Sequence, residues 1–263
     1  MHTATASFAL RGFHRTLFAA GLLATSVGAN ALNAFTLDPA AAGLAGATFT
    51  ADNLLISDYA TVNRTSATTF TESGFLSITG AQLNNVNLVL PGLNSSYGLF
   101  IAFNGTGTTD GNNPLTSVSV GSFTTLNYTL YGYNGAATFG FSGTTPTTTA
   151  ASPTVLATGS LVSGSVVSFP GGGSFLPAAG ATVTFNVANP PFFAAPSGFY
   201  SQAQTSFSNT SSQVQSFSGG FMVQQGGGSI NFASAVSEPV PSALLLGGLG
   251  VIGFVARRRI RSR

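Results

Sequence analysis

The chain has no lysine, no cysteine and no tryptophan, and its two histidines, His2 and His14, both lie near its start. Each absence removes a class of chemistry. Without lysine there is no Schiff-base amine, and without cysteine there is no thiol nucleophile. Without histidine beyond residue 14 a Ser-His-Asp triad cannot form, and neither can a zinc site built on His or Cys. No disulfide can brace the fold, so stability has to come from the core. Charged residues are only 5% of the chain. Ser, Thr, Asn, Gln and Gly fill their place, which gives a neutral surface rich in hydroxyls and amides, the hydrogen-bonding groups of sugars.

The eight arginines are unevenly placed. Arg11 and Arg15 precede an apolar run, Leu17 to Leu23, which is followed by Ala29-Asn30-Ala31. A basic n-region, a short apolar h-region and small residues in an A-x-A pattern make a secretory signal, with cleavage expected after Ala31. Five more arginines, Arg257, Arg258, Arg259, Arg261 and Arg263, follow the apolar run Ser242 to Ala256. As a helix that run is about 22 Å long, short of a hydrocarbon core of about 30 Å but able to insert with bilayer thinning. The arginines then stay on the cytoplasmic side and the preceding chain lies outside. Between the ends, residues 32–238 keep one cation, Arg64, against six acids: Asp38, Asp52, Asp58, Glu72, Asp110 and Glu238. A body with a formal charge of −5 offers no basic footprint for nucleic acid.

The tail Ser237-Glu238-Pro239, its apolar helix with glycines and its terminal arginines resemble a PEP-CTERM sorting signal. Ser237 stands where that pattern usually has its first proline. The resemblance implies export by a Gram-negative bacterium, with signal peptidase and an exosortase-type membrane peptidase as partners. The body resembles the flocculation-associated PEP-CTERM family. The residues that carry this are Phe35-Thr36-Leu37-Asp38, Phe70-Thr71-Glu72, Ser96 to Phe100, Leu156 to Leu161, Phe192-Phe193, Phe199-Tyr200 and Ile230-Asn231-Phe232. That resemblance implies a role in cell aggregation and in the extracellular polymer matrix, without a catalytic site.

The body itself reads as a succession of strands. Thr182 to Val187 alternates polar and apolar residues, as do Leu126, Tyr128 and Leu130 with their neighbours. Tyr97 to Phe103 is a mostly apolar run suited to a buried strand. Further strands are expected at 48–57, 70–78, 85–90, 118–124, 137–142, 154–162, 166–169, 199–207, 215–224 and 229–233, rich in Thr, Val and Phe. Asn134-Gly135 predicts a hairpin turn, and Pro170 with the following glycines predicts another break. Thr144 to Pro153 predicts a long exposed loop, and Asn189 to Phe193 an edge or connecting segment. The expected fold is all-β: a single antiparallel β-sandwich or barrel-like domain over 32–236. A signal helix over 1–31 precedes it and a transmembrane helix within the sorting tail 237–263 follows.

Two carboxylates can hydrolyse a glycoside, and Asp38, Asp52, Asp58, Glu72 and Asp110 are the candidates. No motif joins them, and they read as surface charges or turn residues. Asp110-Gly111-Asn112 spaces oxygen donors as a calcium loop does, but lacks the distal bidentate Glu and reads as a turn. No catalytic, cofactor-binding or metal residue is assigned, and the chain is read as non-enzymatic. With no lysine to guard strand edges, self-association or embedding in exopolysaccharide follows as the expected mode of partnership. A secreted carbohydrate-binding module, using Tyr and Phe faces with Asn and Gln side chains, is the alternative.

Overall fold

The computed structural model describes residues 32–171 and 174–234. The expected signal helix with Ala29 and Ala31, the expected sorting motif Ser237, Glu238 and Pro239 with its transmembrane helix, and the arginine tail all lie outside the described residues. No helix among the described residues is long and apolar enough to cross a membrane.

In chain order the strands are β1 (Phe35–Leu37), β2 (Phe49–Ala51), β3 (Asn53–Arg64), β4 (Thr69–Leu83), β5 (Val86–Asn87), β6 (Tyr97–Thr109), β7 (Ser119–Asn134), β8 (Phe139–Ser142), β9 (Thr145–Thr148), β10 (Thr154–Gly171), β11 (Ser174–Thr184), β12 (Asn186–Val187), β13 (Phe193–Ala195), β14 (Gln202–Ser208), β15 (Val214–Phe217) and β16 (Gly220–Ala233). Eight of them, β3, β4, β6, β7, β10, β11, β14 and β16, each pair antiparallel with the next one in chain order. Pairing of β16 with β3, Gly228 opposite Ile56, closes the ring. The fold is an eight-stranded up-and-down antiparallel barrel, which resolves the sandwich-or-barrel expectation.

Alternation decides which face is inside. On β3, Leu54, Ile56, Asp58, Ala60 and Val62 are buried. On β4, Leu76 and Ile78 face them in register. Most outward positions carry Ser, Thr, Asn and Gln, with ladders such as Asn104 opposite Asn127 and Thr158 opposite Asn186, and single exposed apolar residues such as Val120, Val162 and Phe169 are scattered among them. A membrane barrel has the opposite arrangement, with its apolar band outside. Closure also removes the free ladder edges of the barrel strands, the feature from which strand-to-strand self-association was expected.

Several expectations are corrected. The runs 154–162 and 166–169 are one strand, β10, and 229–233 is the end of β16. The run 215–224 contains a turn, since Phe217 pairs with Gly220 between β15 and β16. Of 85–90 only Val86–Asn87 is strand. Thr144 to Pro153 is not a long loop, because Thr145–Thr148 pairs with Phe139–Ser142 as a hairpin. Asn134-Gly135 turns the chain, with Gly135 at φ +85°, but makes no hairpin from β7. Both edges of β7 are already occupied by β6 and β10. The Asn134 side chain is spent on the 43–45 loop: its amide donates to the Gly43 carbonyl at 2.9 Å, and its oxygen accepts from Ala45 N at 2.8 Å.

One end of the barrel is closed by the small sheet β13-β1-β2. Aromatic rings pack beneath it. Phe35 meets Phe232 edge-on at 4.8 Å, Phe185 meets Phe232 at 4.9 Å, and Phe193 meets Phe199 at 4.7 Å. On the outer wall, Phe139 of the β8-β9 hairpin covers Tyr59, Phe75 and Phe100 at 5.5–6.0 Å. Thr61 Oγ1 ties the hairpin down through a 2.5 Å bond to the Thr144 carbonyl.

Candidate functional site

Concavities among the described residues lie inside the barrel and on its wall. The inner one begins with the five acids of the body. Asp38 and Asp110 are turn residues, as expected. Asp38 Oδ1 accepts from Ala41 N at 3.3 Å. Asp110 accepts from Asn112 N at 3.1 Å, Ser119 Oγ at 3.0 Å and Val120 N at 3.3 Å. These bonds, the Asn112 N–H foremost, hold the Asp110 carboxyl below the usual range. The loop satisfies Asp110 with protein donors, and among the described residues there is no cluster of three or more ligating side chains that could hold a metal.

The other three acids are not surface charges. Asp52 is buried, and its Oδ2 accepts from Asn84 N at 2.7 Å. Asp58 is 4% exposed and points inward from β3, opposite Leu76. Glu72 points inward from β4, opposite Val62, and is only partly enclosed because it lines the lumen space. The strand period puts both acids on the inner face: residue 58 continues the series 54, 56, and residue 72 continues 76, 78 in reverse. Burial raises the Asp58 carboxyl well above its ordinary value, with a further rise from the Glu72 charge. Burial raises Glu72 to about 7.

The lumen has two adjoining spaces that share Glu72 and Phe207. One, of about 80 Å³, is bordered by Asp58, Glu72, Asn209 and Arg64. The other, of about 50 Å³, is walled by aliphatic and aromatic side chains such as Leu76, Ile101 and Leu130, with Glu72 and Thr205 as its polar members. Asn209, 5% exposed, was missed by sequence reading. Its Nδ2 donates to the Pro177 carbonyl at 3.2 Å. Its Oδ1 has no partner, and neither have Asp58 Oδ1 and Thr205 Oγ1. An Asn-Thr-Ser tripeptide just past a strand gives no warning of such a position.

The second concavity is a shallow trough of about 530 Å³ on the outer wall of β10, β11, β14 and β16. Register builds it as two transverse rows. Ser163, Thr182, Gln204 and Asn231 stand side by side across the four strands, as do Ser165, Gly180, Ser206 and Ser229. Gly180 supplies the floor, where a side chain would otherwise stand. Adjacent strands lie about 4.8 Å apart, so the rows present hydroxyls and amides at that spacing. No tyrosine lines it: Tyr97, Tyr128 and Tyr133 are buried, Tyr59 lies under Phe139, Tyr131 stacks on Phe100, and the Tyr200 hydroxyl donates to the Ala34 carbonyl at 2.9 Å. The Asn and Gln half of the carbohydrate-binding expectation is thus at the surface, and the aromatic half is mostly in the core or covered. Comparison with protein-family models, with curated proteins and with solved structures gives no match for this chain.

Proposed function

We infer that the barrel is a non-enzymatic extracellular adhesive module of a Gram-negative bacterium. Its neutral outer wall engages polysaccharide of the surrounding matrix and so supports aggregation, floc or biofilm formation. The observation that carries this is the trough: eight polar or small residues in two rows, open to solvent and free of charge. Sugars present hydroxyls that both donate and accept, and rows of Ser, Thr, Asn and Gln answer them in both senses. The surrounding body is acidic, which favours neutral over acidic polysaccharide. The signal peptide and the sorting tail, with signal peptidase and an exosortase-type peptidase acting on them, deliver the module to the cell surface.

Hydrolysis does not suit this geometry. Asp58 and Glu72 face the inside of the barrel, in a space of about 80 Å³ that is too small for a polysaccharide chain. The secreted carbohydrate-binding module survives as a second reading, because the same trough would serve it. It differs in needing no anchoring tail.

The test is retention of the full chain on immobilised neutral glucan compared with alginate. Retention on the glucan and little on alginate is expected. Equal passage through both matrices overturns the polysaccharide reading. Deletion of 237–263 tests the sorting half separately: loss of cell-surface protein with undiminished release to the medium is expected, and unchanged surface display refutes it.

A further inference from the structure

The lumen holds polar atoms that the barrel does not satisfy. Asp58 Oδ1 and Asn209 Oδ1 are buried acceptors without a donor, and Thr205 Oγ1 is a buried hydroxyl without a partner. A buried polar group left unpaired costs on the order of 1–3 kcal/mol, and more when it is charged. Three such atoms along one lumen, with Glu72 between them, mark a place shaped for a guest that brings donors. The guest also needs an apolar part, because the space next to Glu72 is walled by Leu76, Ile101, Leu130 and their neighbours.

We propose that the barrel lumen binds a small protonated amine with a compact apolar body, its ammonium among Asp58, Glu72 and Asn209 and its hydrocarbon in the apolar half. The charge balance favours it. The charged groups bordering the lumen are Asp58, Glu72 and, at the rim, Arg64. With both acids ionised the set carries one uncompensated negative charge. An ammonium supplies three N–H donors and the missing positive charge. Size sets the class: spaces of about 80 and 50 Å³ together approach the ~150 Å³ that accepts a benzene ring. The hydrocarbon has the apolar half of about 50 Å³, so a branched body of about four carbons fits and a fatty chain does not. This site lies inside the barrel and is independent of the outer trough, so either can fail without the other.

The experiment is calorimetric titration of the full chain at pH about 8.5, above the raised value of Glu72. Isobutylamine is the ligand and isobutanol its neutral counterpart. Saturable one-to-one binding of the amine is expected, with the alcohol at least tenfold weaker. Glu72→Gln, which keeps the shape and removes the charge, is expected to weaken the amine at least tenfold while leaving the alcohol unchanged. Equal affinity for amine and alcohol overturns the proposal. So does an unaltered amine affinity in Glu72→Gln. Saturable calcium binding without any response to the amine overturns it as well and assigns the oxygens to a metal.

Discussion

The side-chain oxygen of Asn209 rests on the backbone of Gly226 so closely that a Cβ added there would lie 2.0 Å from Oδ1. Gly226 sits just after the irregularity in β16, opposite Asp58 of β3. The glycine therefore lets Asn209 cover that end of the lumen beside Asp58. Gly226→Ala forces Asn209 outward or bends β16, and overpacking of this kind costs roughly 1–3 kcal/mol. Urea denaturation should show that loss. Asn209→Ala added to it should return part of the stability, giving a favourable coupling between the two changes. Strict additivity would mean that the two residues do not press on one another.

Glu72 sets a pH dependence that runs opposite to ordinary acid denaturation. Its carboxyl is raised from 4.5 to about 7 in the folded barrel by burial, so the folded state holds the proton more tightly than the unfolded chain. Its contribution to stability is therefore complete below about 4.5 and is lost as pH rises through about 7. Asp58, raised in the same direction, adds to that slope. Glu72→Gln stays neutral throughout. It should match the wild type near pH 5 and exceed it at pH 8. The gap is about 1–2 kcal/mol once the partial exposure of Glu72 to the lumen is allowed for. Urea midpoints at the two pH values read this directly. A variant no more stable than wild type at pH 8 would show that Glu72 is solvated as in the unfolded chain.

Much of the architecture was legible because strand alternation survives in the sequence. Tyr97 to Phe103 is strand where expected, Thr182 to Val187 is strand except at Phe185, where β11 gives way to β12, and the absence of helical stripes fits a body without long helices among the described residues. The barrel closure was not legible, because pairing of Gly228 with Ile56 joins residues far apart in the chain and leaves no local trace. Glycines misled the strand boundaries. The gaps expected at 163–165 and 225–228 hold Gly164 and Gly226, yet both lie within strands, Gly226 where the wall needs a missing Cβ. The inner acids were named as candidates, but isolated acids in a polar sequence read as surface charges. Only the register places residues 58 and 72 on the inner face. Asn209 had no signal at all.

The scattered aromatic motifs acquire a physical meaning at the closed end. Phe35, Phe193, Phe199 and Phe232 come from four separate segments and pack as one plug beside Phe185. Phe232 is 3% exposed and touches three of these rings. Phe232→Ala should cost roughly 3–5 kcal/mol, the range for a buried aromatic reduced to alanine. Phe232→Leu should cost distinctly less, since it keeps most of the volume and loses chiefly the edge-to-face contacts. Thermal and urea unfolding of the two variants separates volume from ring geometry. Equal losses would put the whole effect on the ring contacts.

The outer trough can be tested without disturbing the barrel. A Cβ at Gly180 would have its nearest neighbour, the Thr205 carbonyl, at 3.5 Å, an ordinary contact, and the backbone there has no positive φ. Gly180→Val therefore adds an apolar side chain to the trough floor at a position that accepts it. Valine also suits a strand better than glycine does, so stability should hold or rise by about 0.5–1 kcal/mol. The added methyls stand within the row of Ser165 and Ser206, next to the row of Ser163, Thr182 and Gln204, and displace whatever those groups hold. Retention on neutral glucan should fall at least fivefold while the unfolding midpoint is unchanged or higher. Amine binding in the lumen should stay the same, because the substitution lies on the other face of the wall. Undiminished glucan retention by Gly180→Val would place any polysaccharide contact elsewhere on the barrel.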